Sequence, residues 1–113
     1  MLRQSPLAGP LWETLVCAEL RKELALTPSA RTLCFYRDSD GGEVDFVVED
    51  GLSLDLVECK WSELPDRRDA KSMQRLAAAL AGQGEVRSMR VACPTQAPFP
   101  LEGGARAWNP LLG

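Results

Sequence analysis

The stretch "EVDFVVEDGLSLDLVECKW" (residues 43–61) decides how this chain is read. Two apolar runs flank Asp50-Gly51, a dipeptide that favours a two-residue hairpin turn. Both runs alternate apolar with polar residues and are rich in Val, which predicts antiparallel strands over about 43–49 and 53–61. Yet Asp45 stands between Val44 and Phe46, and Glu58 and Lys60 follow a run of Leu and Val. A turn at Asp50-Gly51 pairs Glu49 with Leu52 and sets Asp45 opposite Leu56. Alternation then puts Asp45, Glu58 and Lys60 on one sheet face, with the two acids as diagonal neighbours and their Cβ atoms roughly 7 Å apart. The opposite face carries Val44, Phe46 and Val48 with Val57, Cys59 and Trp61 as a core surface.

Upstream, "RTLCFYRD" (31–38) reads as a strand stopped by the turn cluster "DSDGG", which completes a three-stranded meander over about 32–37, 43–49 and 53–61. Before it, Gly9 as cap and Pro10 at the first helical position open a helix over about 10–26 that Pro28 ends. Its apolar face is Val16, Cys17, Leu20 and Leu24, widened by Trp12 and Leu15. Glu13 lies one turn before Val16 and Cys17, on the face turned to the sheet. A carboxylate there is costly unless paired, hydrogen-bonded or metal-bound, although the helix N-terminus offsets part of the cost.

Downstream, a second helix over about 66–82 has the stripe Ala70, Met73, Leu76, Ala77 and Leu80, and Gly82 or Gly84 ends it. Its other faces carry Arg67, Arg68, Lys71 and Arg75. "VRSMRVAC" (86–93) is a fourth strand, "PTQAPFPLEGG" a loop, and "ARAWNPLL" a short last strand. The fold class is therefore mixed α/β: a three-stranded antiparallel meander flanked by helices, plus a further strand. A length of 113 residues sets one domain over 1–113 as the expectation, with 1–8 a flexible N-terminus.

Composition narrows the chemistry. There is no histidine, which removes His-based acid–base catalysis, Ser–His and Cys–His nucleophiles and His metal sites. Cys17, Cys34, Cys59 and Cys93 are scattered without a C-x-x-C pair, which argues against zinc and a redox dithiol; they read as small buried hydrophobes in a reducing cytoplasm. A net charge of −3 argues against tight binding of nucleic acid through overall charge alone. No apolar run approaches the ~20 residues of a membrane span, and no apolar core of a signal peptide is present at the N-terminus. A cytoplasmic protein without membrane contact is expected.

Three carboxylates (Glu13, Asp45, Glu58) and one amine (Lys60), from three elements, thus converge. Oxygen-only ligands suit Mg²⁺ or Mn²⁺, and the lysine beside such an ion would orient a water or steady a developing negative charge. Taken singly, each residue also reads as an ion pair: Lys60 with Glu58, Arg37 with Asp45, and Glu13 as a cap of its own helix. The basic side of the second helix (Arg67, Arg68, Lys71, Arg75), with Arg37, offers phosphate contacts, although such a run also suits a solvated face. Gln74 reads as solvated, and Trp61 and Trp108 as core.

Asp45, then Glu58-Cys59-Lys60 on the next strand after a hairpin, with a preceding helix that bears Glu13, resembles the PD-(D/E)XK nuclease superfamily. The phrases "GPLWETLVCAEL", "FYRDSDGGEVDFVVE", "LVECKWSELPDRRDAKSMQRL" and "WNPLL" resemble, over about residues 9–112, the uncharacterised domain found C-terminal to AAA-type ATPase modules in prokaryotic proteins. The resemblance implies a restriction-endonuclease-like αβββαβ core, with Glu13, Asp45, Glu58 and Lys60 in the nuclease positions and Mg²⁺ or Mn²⁺ as cofactor. Val44 stands where the motif's name has proline, and this chain has no Walker A loop. Two readings follow. One is a metal-dependent nuclease that hydrolyses phosphodiester bonds of nucleic acid. The other is a non-catalytic interaction or regulatory module of the same fold, attached to an ATPase or self-associating as a homodimer.

Overall fold

The computed structural model describes residues 6–26, 30–37, 39 and 42–112. Residues 1–5, Pro28, and Asp38, Asp40 and Gly41 of the expected turn cluster lie outside them. The order is helix α1 (Ala8–Leu26), strands β1 (Thr32–Arg37), β2 (Glu43–Asp50) and β3 (Ser53–Cys59), helix α2 (Lys71–Ala79), then β4 (Glu85–Ala92), β5 (Phe99–Pro100) and β6 (Arg106–Trp108). All six strands form one sheet, ordered β1-β2-β3-β4-β6-β5. The meander is antiparallel; β3–β4 and β4–β6 are parallel, and β5 returns antiparallel to β6. The expected Pro-rich loop thus contributes a strand of its own.

Neighbouring residues show where the helices lie. Leu56 and Val91 pack with Met73 and Leu76 of α2, whereas Val57 and Ala92 pack with Trp12, Val16 and Leu20 of α1. Successive strand residues face opposite sides, so the two helices cover opposite faces. Helix α1 starts at Ala8, two residues earlier than the Gly9 cap predicted. Pro10 is tolerated because the first-turn N–H groups have no intrahelical acceptor. Its buried line is Ala8, Trp12, Val16 and Leu20. Leu15 is exposed, and Cys17 and Leu24 are only partly covered, so the face is narrower than expected. The Trp12 indole, tilted 5.4 Å from the Trp61 ring, donates to the Ala92 carbonyl at 2.9 Å.

The second helix is shorter than 66–82. A 3-10 turn (Arg67–Ala70) leads into it, closed by a capping box in which Asp66 accepts from Arg68 N and Asp69 from Asp66 N. Ala70, Met73 and Leu76 are buried as predicted, with Ala77 and Leu80 at the margin. Of the four free cysteines only Cys93 is fully buried.

Two local departures decide the site. In the hairpin Asp50 pairs with Ser53, which leaves Gly51 (φ +64°) and Leu52 as the turn. A positive φ at the first turn position suits glycine, so the turn sits one residue later than Asp50-Gly51. Face parity survives, but Val47, not Asp45, opposes Leu56. In β2, Cys34↔Val47 and Tyr36↔Val44 leave three steps against two on β1, a bulge at Asp45–Phe46. Val44 therefore joins Val47 on the α2 face instead of the expected face with Phe46.

Candidate functional site

The β2–β3 ladder stops at Phe46↔Val57. Strand β3 stays with β4 beyond this point, through Glu58↔Val91, Cys59↔Ala92 and a 2.9 Å bond from Lys60 N to Ala92 O. The bulged strand β2 thus parts from β3, and two carboxylates bridge the gap. Glu58 Oε1 accepts from Asp45 N at 3.0 Å, and Asp45 Oδ2 accepts from Cys59 N at 2.8 Å. Each acid replaces a missing ladder bond with a side-chain bond to the opposite backbone. The acids face one another directly rather than diagonally, because the later turn shifts the register.

Glu13 stands nearby on α1, mostly exposed, lining a cleft of about 300 Å³ with Phe35, Arg37, Glu43 and Asp45. Its pKa is raised by partial burial, then by Asp45 and Glu43. Asp45 is also raised: burial outweighs the Cys59 N–H that favours its charged form. Glu58 moves furthest, pushed up to about 8 by burial first and by the Asp45 charge next. Burial and the surrounding acids push the Cys59 thiol far above its usual range, which disfavours its thiolate.

Lys60 pairs with Asp69 at 3.6 Å, not with Glu58. Arg37 pairs with Glu43 at 3.2 Å, not with Asp45. The expected convergence is therefore partial. Asp45 and Glu58 meet, Glu13 raises Glu58 through its charge and is itself raised by Asp45, and Lys60 turns to the start of the second helix. Among the described residues no three acidic or thiol side chains stand close enough together to hold a metal ion. Two relevant residues escaped the sequence reading. Glu43 shares the alternation of Asp45, which period two would have shown. Asp69 was legible as the fourth residue of an Asp-x-x-Asp capping box, but not as the partner of Lys60.

The basic residues also divide. Arg67, Arg68 and Lys71 line a cleft of about 470 Å³ with Gln74, Glu102 and Gly103. Arg75 lines a separate small cavity with Tyr36, Glu43 and Ser72. Gln74 is not merely solvated, since its amide donates to Glu102 O at 2.8 Å. Trp61 and Trp108 are both partly buried, and the Arg90 guanidinium lies 4.0 Å from the centre of the Trp108 ring. No helix is long and apolar enough to cross a membrane among the described residues.

No curated protein matches the chain. A family profile does, over residues 8–110, and this span takes in both helices, the whole sheet and every residue of the split between β2 and β3. The chain belongs to the family described as a domain of unknown function, DUF4143.

Proposed function

We propose that the chain is a nuclease-like domain of the PD-(D/E)XK class that hydrolyses phosphodiester bonds of nucleic acid with Mg²⁺ or Mn²⁺. The observation that carries this reading is the split between β2 and β3, which sets the carboxylates of Asp45 and Glu58 face to face with Lys60 two residues on. The α1-β1-β2-β3-α2-β4 order supports a restriction-endonuclease-like core.

The donor set fits a hard cation. Mg²⁺ commonly takes one or two protein carboxylates and fills its shell with waters and phosphate oxygens, so Asp45 and Glu58 suffice and a third ligand is not required. Glu13 would act through a water. When bound, the ion supplies a Lewis acid and an activated water. The chain's own residues do the rest. Asp45 and Glu58 fix the position of that oxygen-rich spot, braced by the backbone N–H groups of Cys59 and Asp45. Lys60, on leaving Asp69, offers a positive charge on the Glu58 side of β3 to the negative charge that develops on phosphoryl oxygens.

The test is cleavage of supercoiled plasmid and single-stranded DNA and RNA with Mg²⁺ or Mn²⁺. Wild type should cut, and Asp45→Asn and Lys60→Ala should each lose about 10²–10³ in rate, the usual loss for a group that stabilises the transition state. Equal rates in wild type and both variants would mean the site is not here.

One observation favours the non-catalytic reading. Leu7, just before α1, and Leu11 and Leu15 on it follow one another every four residues, each at least 47% exposed. Such a row suits docking to another protein, such as an ATPase module or a second copy. An inert wild type that associates through this row would favour that reading.

A further inference from the structure

The cleft of Arg67, Arg68, Lys71, Gln74, Glu102 and Gly103 belongs neither to the carboxylate split nor to either core. Three cations face one acid across it. Arg68 is committed: its guanidinium holds Asp66 at 2.9 Å. Among the described residues Arg67 pairs only with Glu102, at 3.7 Å, with both side chains more than 70% exposed. Lys71 has no acidic partner among the described residues. The far wall is built to a close fit. The Gln74 amide holds the Glu102 carbonyl, and a Cβ on Gly103 would run into that same amide. Among the described residues no aromatic ring lines the cleft, so it offers charge and donors but no base-stacking surface.

We propose that this cleft binds a backbone phosphate of a nucleic-acid strand through Arg67 and Lys71, and that the Glu102 carboxylate occupies the phosphate's place until the strand arrives. The polymer's identity rests on the nuclease reading; the anion site itself rests on the cleft. The same 3-10 turn carries Arg67 and Asp69, and Asp69 holds Lys60. A strand seated here therefore lies against the turn that positions the lysine of the split. The Arg67–Glu102 pair is exposed and loosely spaced, which makes it weak and readily exchanged for phosphate.

The experiment measures binding of a fluorescent duplex to the whole chain in EDTA, across a salt series, with inorganic phosphate as competitor. Each lost phosphate contact should lower the log–log salt slope by about 1. Arg67→Ala with Lys71→Ala should therefore weaken binding and lower the slope by about 2. Glu102→Gln should tighten binding by up to about fivefold, the range of an exposed ion pair. Phosphate should compete against wild type but not against the double variant. An unchanged slope in the double variant, weaker binding by Glu102→Gln, or phosphate binding without duplex binding would each overturn the proposal. Because no divalent ion is present, a failure to cut DNA leaves this result standing, and loss of the cleft's binding with cleavage intact removes only the cleft.

Discussion

The Glu58 carboxylate accepts a hydrogen bond from Asp45 N, which favours its charged form, yet its pKa rises to about 8. Burial and the facing Asp45 charge outweigh one N–H donor. The linkage to stability follows directly. Unfolded, Glu58 titrates near the ordinary value of 4.5; folded, it keeps its proton to about 8. Its contribution is fully present below 4.5 and is lost as pH rises through 8. Asp45 and Glu13 are raised too and act in the same sense. Asp55 is the opposite case: held below its usual range of 3.8 by Arg87 and Ser88 against the opposing effect of burial, it loses its contribution only in stronger acid. Without divalent ions, the melting temperature should therefore climb as pH falls from about 8 toward 4.5, and Glu58→Gln should flatten that climb. A flat wild-type profile would remove the strained acid pair. The pairing of Asp45 with Glu58 was legible because strand parity survives a shift of two in the paired sum. The partners of Lys60 and Arg37 were not, since a salt bridge to Asp69 or Glu43 depends on how separate segments dock.

At the scale of elements, the hairpin turn and the β2 bulge carry the site. Periodicity located all three strands of the meander and both helices, because their apolar residues repeat at two or near 3.6. It missed the turn by one residue. Asp-Gly suits a turn beginning at Asp50, but the positive φ is needed at Gly51 itself, and exposed Leu52 takes the next place. The bulge left no local mark, as Asp45–Phe46 looks like ordinary alternation, and only the pairing with Cys34 and Tyr36 reveals the extra residue. Strand β5 was hidden by Pro98 before it and Pro100 within it, which a short strand at the sheet's end tolerates. A Cβ on Gly51 meets no atom, so substitution there probes backbone strain alone. Gly51→Ala should destabilise by about 1–2 kcal/mol, the cost of the left-handed region, and Gly51→Asn by less, because its short polar side chain bonds locally. Chemical denaturation measures both. Equal losses for Ala and Asn would mean that something other than φ sets the turn.

In the molecule as a whole, one sheet separates two small cores, and both end at the carboxylate split. Val44 and Leu56 lie on the α2 side; Phe46, Val57 and Cys59 lie on the α1 side. As pH rises through about 8 and Glu58 loses its proton, charge repulsion in the split therefore works against folding of the entire chain, not of one loop. The mixed α/β architecture was readable from element order, whereas the six-stranded sheet needed the docking of β5 and β6. A cation in the split should reverse the repulsion. An ion that binds only the folded state stabilises by RT ln(1 + [L]/Kd), about 2.7 kcal/mol at a hundredfold excess over Kd. For a chain near this size each kcal/mol moves the melting temperature by about 4–8 °C. Mn²⁺ or Mg²⁺ should therefore raise Tm by several degrees at about pH 8, where Glu58 loses its proton. Asp45→Asn should abolish the ion's effect while raising the Tm of the ion-free protein, because it removes the charge that faces Glu58. That opposite pair of changes separates a cation site from a structural role, which would lower Tm with or without the ion. A wild-type Tm indifferent to Mn²⁺ at about 10 mM, above weak protein affinities of roughly 10⁻⁴–10⁻³ M for divalent ions, would leave the split as a hydrogen-bonded plug and the non-catalytic module as the better reading.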